Sequence, residues 1–208
     1  MEKHNFYVDF KEHKKGYTTA GVFTFYAFLF IKNKIESEDK QMIKSTIKKQ
    51  IFTAMLASIS YVLSTFVSFP RMAPFQHFTN VIGAVFLGPV WGFNCALITG
   101  LMRMILNGST ILAVIGAVVG AFLSGLLYKK FHKFVWAVIG EVIGTGVISA
   151  IISYPFMRMF YGLPKTSIFT YIPFFIPASL MGALLGYTLL KTLDRVKLLT
   201  YLKSLIDN

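Results

Sequence analysis

Along the 208-residue chain, long apolar runs alternate with short polar or basic stretches, and run length carries most of the information. Ile51 to Phe69 is a 19-residue run without a charged residue, and "TILAVIGAVVGAFLSGLLY", Thr110 to Tyr128, is another. A helix needs roughly 20 apolar residues to cross the hydrocarbon of a bilayer, so both runs predict spanning helices. Phe134 to Met157 holds a single acid, Glu141. Ser167 to Leu193 holds Pro173 and Pro177 near its start and one charge, Lys191, near its end. Both predict further spans. Phe78 to Leu106 would be about 44 Å long as one helix, too long for one ordinary crossing. It contains Gly88, Pro89 and Gly92, residues that can end one helix and open the next, which predicts two shorter helices.

Charge asymmetry favours the division. With six spans, Lys44, Lys48, Lys49, Lys129, Lys130, Lys133, Lys191, Arg195, Lys197 and Lys203 share one side, and Arg71, Arg158 and Lys165 remain on the other. Five spans would move the Lys129 cluster across the membrane, against the positive-inside tendency. The expected architecture is an all-α, polytopic membrane protein of six helices, in the plasma membrane, with both ends of the membrane domain cytoplasmic.

The ends read differently. Tyr17 to Ile31 is apolar but only 15 residues long, short for a span. "MIKSTIKKQIF" already leads from basic residues into the first full run, so residues 1–41 read as an extension upstream of a start at Met42 and residues 42–193 as the membrane domain. In residues 194–208, Val196, Leu199, Leu202 and Ile206 continue the spacing of Leu193 with Arg195, Lys197 and Lys203 between them. That fits a basic amphipathic helix on the cytoplasmic surface or a solvated end of the last span.

Composition agrees with lipid as solvent: 55% of residues are hydrophobic, 16% aromatic and only 14% charged. The net charge of +12 would suit nucleic acid, but the basic residues cluster at the ends of apolar runs, which points to a membrane surface and no nucleic-acid partner. Cys95 is a lone cysteine in an apolar run. There is no HExxH, and the four histidines include no pair at ligand spacing, so no metal site is expected. "GLPKTS", Gly162 to Ser167, lacks the second glycine of a phosphate loop. The chain is not expected to be an enzyme, and without an ATP site it is not expected to drive pumping by its own hydrolysis, which leaves ion coupling open.

Small residues recur every fourth position: Gly116, Gly120 and Ser124; Gly140 and Gly144; Ala178, Gly182 and Gly186. Such faces let helix backbones approach closely in lipid. Thr53 with Ala57, and Ala54 with Ser58, give the first span a comparable face, suited to its own bundle or to another subunit.

Polar groups inside apolar runs are costly, and so are functional candidates. Arg103 and Asn107 lie toward the outer end of the third span, and Glu141 and Thr145 lie within the fifth. Gln76, His77 and Asn80 stand at the outer mouth of the second, and Tyr154 and Tyr171 add outer hydroxyls. The expected pocket opens outward beneath "SFPRMAPFQHFTN", Ser68 to Asn80, a lid whose prolines limit its freedom. Arg103 and Glu141 read equally as an ion pair or as ligand contacts.

"FPRMAPFQHFTNVIGAVFLGPVWG", "GLMR" with Arg103, "GEVIGTG" and "YPF" (Tyr154 to Phe156) together resemble the ThiW family, substrate-binding (S) components of energy-coupling factor (ECF) vitamin transporters. The likeness runs from about Ile51 to Leu193, and Ile115 departs from the family's proline before Gly116. The resemblance implies a six-helix fold of ECF S-component type that captures hydroxyethylthiazole, a thiamine precursor, outside the cell. It also implies a transmembrane scaffold subunit and two cytoplasmic ATPases, with Thr53, Ala54, Ala57 and Ser58 as the approximate scaffold face. Two alternatives stay open: a thiamine-specific S component, and an ion-coupled secondary transporter using Glu141.

Overall fold

The small-residue faces and the break at Gly88 order the fold. A computed structural model describes residues 19–66, 73–162 and 164–207. Their regular structure is entirely helical: α1 (Thr19–Phe66), α2 (Pro74–Phe86), α3 (Gly88–Leu106), α4 (Leu112–Phe131), α5 (Phe134–Ile143), a π-helical segment (Gly144–Ser149), α6 (Ala150–Tyr161), α7 (Ile172–Arg195) and α8 (Leu198–Asp207). The chain divides into two units, Met1–Ile43 and Lys44–Asn208. In the first unit, Lys40 donates to Glu36 at 2.9 Å, and this bond holds the exposed Glu36 carboxyl below its ordinary range.

Everything else concerns the second unit. Phe78 to Leu106 does form two helices. Gly88 turns the chain at φ 77°, a left-handed conformation that costs glycine little, and α3 starts there with a proline in its first turn. α2 starts earlier than expected. Pro74 stands at its N-terminus, where the missing N–H costs no helical bond, so Gln76 and His77 belong to the first turns of a helix. The described part of the expected lid is thus mostly helical, and its first half lies outside the described residues.

Four stretches are long and apolar enough to cross a membrane: Gly88–Leu106, Leu112–Phe131, the continuous run Phe134–Tyr161 and Ile172–Arg195. The expectation of six is met by four on length and composition. α2 has 13 residues, about 20 Å of helix, and the apolar part of α1 is described only to Phe66. Large apolar side chains such as Ile98, Phe122, Ile143 and Leu184 point outward, whereas Ala84, Ala117, Ala121, Ala137 and Ala183 fill the interior. Large groups outside and small ones inside is the packing expected where lipid is the solvent.

The close approaches are tight. A Cβ at Gly140 would stand 2.6 Å from Ser124 Cα, and one at Gly144 would stand 2.7 Å from Gly120 Cα, so α4 and the α5–π run meet backbone to backbone. α8 docks on the end of the bundle that carries the lysine clusters. Leu199 and Ile206 enter the core, Lys203 Nζ donates to the Tyr128 hydroxyl at 2.8 Å, and Lys48 Nζ donates to the Leu205 carbonyl at 2.9 Å. The segment is thus a separate helix, set off from α7, which ends at Arg195.

Candidate functional site

Four helices bring polar side chains to one buried place. On α2, Gln76, His77 and Asn80 occupy one flank, all under a tenth exposed. The α5–π run supplies Glu141 and Thr145, α3 supplies Arg103, and α4 supplies bare backbone at Gly120 and the carbonyls of Ala113 and Ala117.

Glu141 is the centre. It is fully buried, and its Oε1 meets three groups: His77 Nδ1 at 2.8 Å, Asn80 Nδ2 at 3.0 Å and Thr145 Oγ1 at 3.0 Å. With Glu141 ionised, His77 Nδ1 carries the hydrogen, and Nε2 of a neutral ring then presents an acceptor lone pair. Glu141 Oε2 is buried with no hydrogen-bond partner. Beside it, a Cβ added to Gly120 would collide with Thr145 Oγ1 and stand 3.0 Å from both carboxylate oxygens. A glycine is therefore what gives the carboxylate its room.

The expected pairing of Arg103 with Glu141 is not formed. Arg103 Nη1 donates to Gln76 Oε1, and Gln76 Nε2 donates to the Ala113 carbonyl at 3.2 Å, so the glutamine amide spends both ends on the fold. Asn80 Nδ2 bridges Glu141 and the Ala117 carbonyl, the latter at 3.1 Å. α2 neighbours α3, α4 and α5, and its flank offers Arg103 the Gln76 amide while giving His77 and Asn80 to Glu141.

The remaining candidates are spread out. Asn107 accepts from Tyr61 and donates to Thr65, each at 2.8 Å, tying α3 to α1. Tyr154 lies beneath the Arg158 guanidinium, and the Tyr171 ring packs 6.1 Å from Phe175. Asn107 and Tyr154 thus make these contacts away from the Glu141 cluster. On the first span, Thr53 and Ala57 of the expected scaffold face are buried, with Thr53 at the edge of a groove. Ala54 and Ser58 are exposed. Ala54 borders an open groove of about 260 Å³ between α1 and α3, lined by Gln50, Thr53, Ala54, Trp91, Asn94, Leu97 and Ile98.

Sequence reasoning missed Ser149 and Ser153, buried on the same run as Glu141 and Thr145. The four-residue spacing of Glu141, Thr145, Ser149 and Ser153 was the available signal. It also missed Ser60 and Thr79, whose hydroxyls meet at 2.6 Å between α1 and α2. Among the described residues there is no group of three or more His, Cys, Asp or Glu side chains able to hold a metal ion.

No curated protein and no solved structure matches the chain. One family profile does, that of the thiamine-precursor transporter protein ThiW, over residues 50–196. That stretch contains α2 to α7 and every residue of the Glu141 cluster. With most of its length matched and its interior built for lipid, this membrane protein belongs to the ThiW family of thiamine-precursor transporters.

Proposed function

We propose that this chain is the substrate-capture subunit of an ECF-type transporter and binds hydroxyethylthiazole. The observation that carries the reading is Glu141, whose one oxygen gathers three donors while the other has none. An acceptor held in place and left open suits the hydroxyl of a small alcohol. With Arg103 engaged by Gln76, no arginine or lysine among the described residues pairs with that oxygen, which can therefore accept from the hydroxyl of an alcohol or face the cation of thiamine. Asn80, His77 and Thr145 then act chiefly by fixing the carboxylate and Gln76 by holding Arg103, while Tyr154, Tyr171 and Asn107 belong to the outer approach.

In this reading α1 and α2 complete six spans, the lysine-rich end is cytoplasmic, and two ATPases supply the hydrolysis for which this chain carries no motif. The scaffold docks at Ala54 and Ser58 beside the α1–α3 groove, where lipid-facing small residues allow close helix approach.

Calorimetric titration of the full chain in detergent with hydroxyethylthiazole, thiamine and riboflavin tests the reading. Tight binding of the thiazole alone is expected. Preference for thiamine would make Glu141 the counter-charge of a cation and keep the transporter class. Binding of none would overturn substrate capture and favour the second reading, ion coupling at the buried His77–Glu141 pair.

A further inference from the structure

Among the described residues, four buried side-chain polar atoms have no hydrogen-bond partner, and three of them lie on one helical run: Glu141 Oε2, Ser149 Oγ and Ser153 Oγ. Both serines are 0% exposed. The contrast with the other helix hydroxyls is sharp. Thr53, Ser58, Thr65, Thr188 and Thr192 each donate to the carbonyl four residues back, at 2.7 to 2.9 Å. That local partner is the usual way a hydroxyl is satisfied inside an apolar helix. Ser149 and Ser153 forgo it, although burial makes an unpaired hydroxyl costly.

The local backbone supplies a cause. Ser149 closes the π-helical segment, whose wider turn carries the carbonyl of the preceding turn out of line. Two residues after Ser153 comes Pro155, which has no N–H to give the preceding turn. The stretch from Gly144 to Pro155 is thus less firmly bonded along its own axis than a regular helix and is suited to bend.

Glu141, Thr145, Ser149 and Ser153 follow one another at intervals of four, a row about 18 Å long. It runs from the buried carboxylate toward the end of the bundle opposite Lys129, Lys130 and Lys133. Met157, also buried, continues it. We infer that this row is a water-accessible path from that end of the bundle to Glu141, opened by bending at the π-helical segment and Pro155, and that it admits water and small uncharged polar solutes.

The lining sets the chemistry. The row offers hydroxyls, which both donate and accept, and ends at a carboxylate. α4 faces it with Gly120, and α7 approaches the π segment with Ile176 and Ser179. Among the described residues, Arg103 is held by Gln76 and Arg158 is placed over the Tyr154 ring at 5.8 Å. An anion such as a phosphate ester finds no counter-charge along the row and a carboxylate at its end.

The test uses the full chain in liposomes with Cys95 replaced by alanine. Cysteines are placed one at a time by Ser149→Cys, Ser153→Cys, Ile152→Cys on the lipid-facing side and Ser167→Cys in the exposed loop, then treated with a charged methanethiosulfonate, which needs water and a thiolate. Ser149→Cys and Ser153→Cys are expected to react at least about tenfold faster than Ile152→Cys despite their burial. Folded variants that react no faster than Ile152→Cys would overturn the path. Should the variants misfold, hydroxyl-radical footprinting of the unaltered chain decides, since a path requires oxidation of buried Met157 above that of lipid-facing Met181, and equal protection of both would overturn it. Labelling does not depend on the substrate. Protection of Ser149→Cys by hydroxyethylthiazole rests on the capture reading, so labelling without protection would sink that use of the path and leave the path standing.

Discussion

At Glu141 a single side chain holds four elements in register, because its Oε1 is shared by groups from α2 and from its own run while Gly120 of α4 borders both oxygens. Glu141→Gln keeps the shape and replaces one oxygen with a donor. Thiazole binding measured by calorimetry should weaken at least tenfold, roughly 1.4 kcal/mol or more, because the open acceptor is lost. Gly120→Ala should do more harm with a smaller change of chemistry. Its methyl would enter the space of Thr145 Oγ1, and the expected loss in a thermal unfolding assay corresponds to about 1–3 kcal/mol of overpacking. The neighbours of Glu141 were legible in the sequence as residue types, since Gln76, His77, Asn80 and Thr145 stand out in apolar surroundings. Their pairing was not. Whether Arg103 reaches Glu141 or stops at Gln76 depends on how the helices stand together, and spacing along one chain does not encode that.

Among the elements, the π-helical segment has the widest consequences. It inserts a wide turn between α5 and α6. Deleting Val147, a partly exposed residue of that segment, should restore a regular helix and leave α6 facing nearly as before, because one residue fewer in tighter α turns sweeps about the same angle. The run would then bond regularly along its own axis and lose its readiness to bend. We expect a folded protein, judged by circular dichroism, that has lost uptake. The α2–α7 contact offers a second lever. A Cβ at Gly182 would run into the Pro74 carbonyl and stand 2.8 Å from His77 Cβ, so Gly182→Ala should push the first turn of α2 away and cost about 1–3 kcal/mol by the same unfolding assay. The break at Gly88 and Pro89 could be read from the sequence because those residues have fixed backbone habits. The π turn could not. It changes the helix phase by a fraction of a turn, too little to disturb a run that is apolar on nearly every side.

For the whole molecule, the first span separates folding from assembly. Ala57 is 1% exposed and Ala54 lies on the surface one turn away, so a tryptophan at each position asks a different question. Ala57→Trp should overpack the core and reduce yield of folded protein in size-exclusion chromatography. If the proposed ECF reading holds, Ala54→Trp should leave thiazole binding intact and abolish uptake in cells supplying the proposed scaffold and ATPases; unchanged uptake would remove Ala54 from the docking face. The membrane character of the chain was plain from run length and charge. The use of its small-residue faces was not, because a face that packs inward and one that packs on another subunit are written with the same residues.

Neither tryptophan of the chain is part of the Glu141 cluster. Trp136 stacks on Phe131 at 4.2 Å, and Trp91 lines the α1–α3 groove, about 18 Å along α3 from Arg103. The protein therefore carries an intrinsic fluorophore at the groove proposed for docking and none at its polar centre. Trp136 stands only about 7.5 Å of helix from Glu141, so it is Trp91 emission, isolated by Trp136→Phe, that should follow the arrival and departure of the proposed neighbouring subunit and stay nearly blind to the passage of a small molecule.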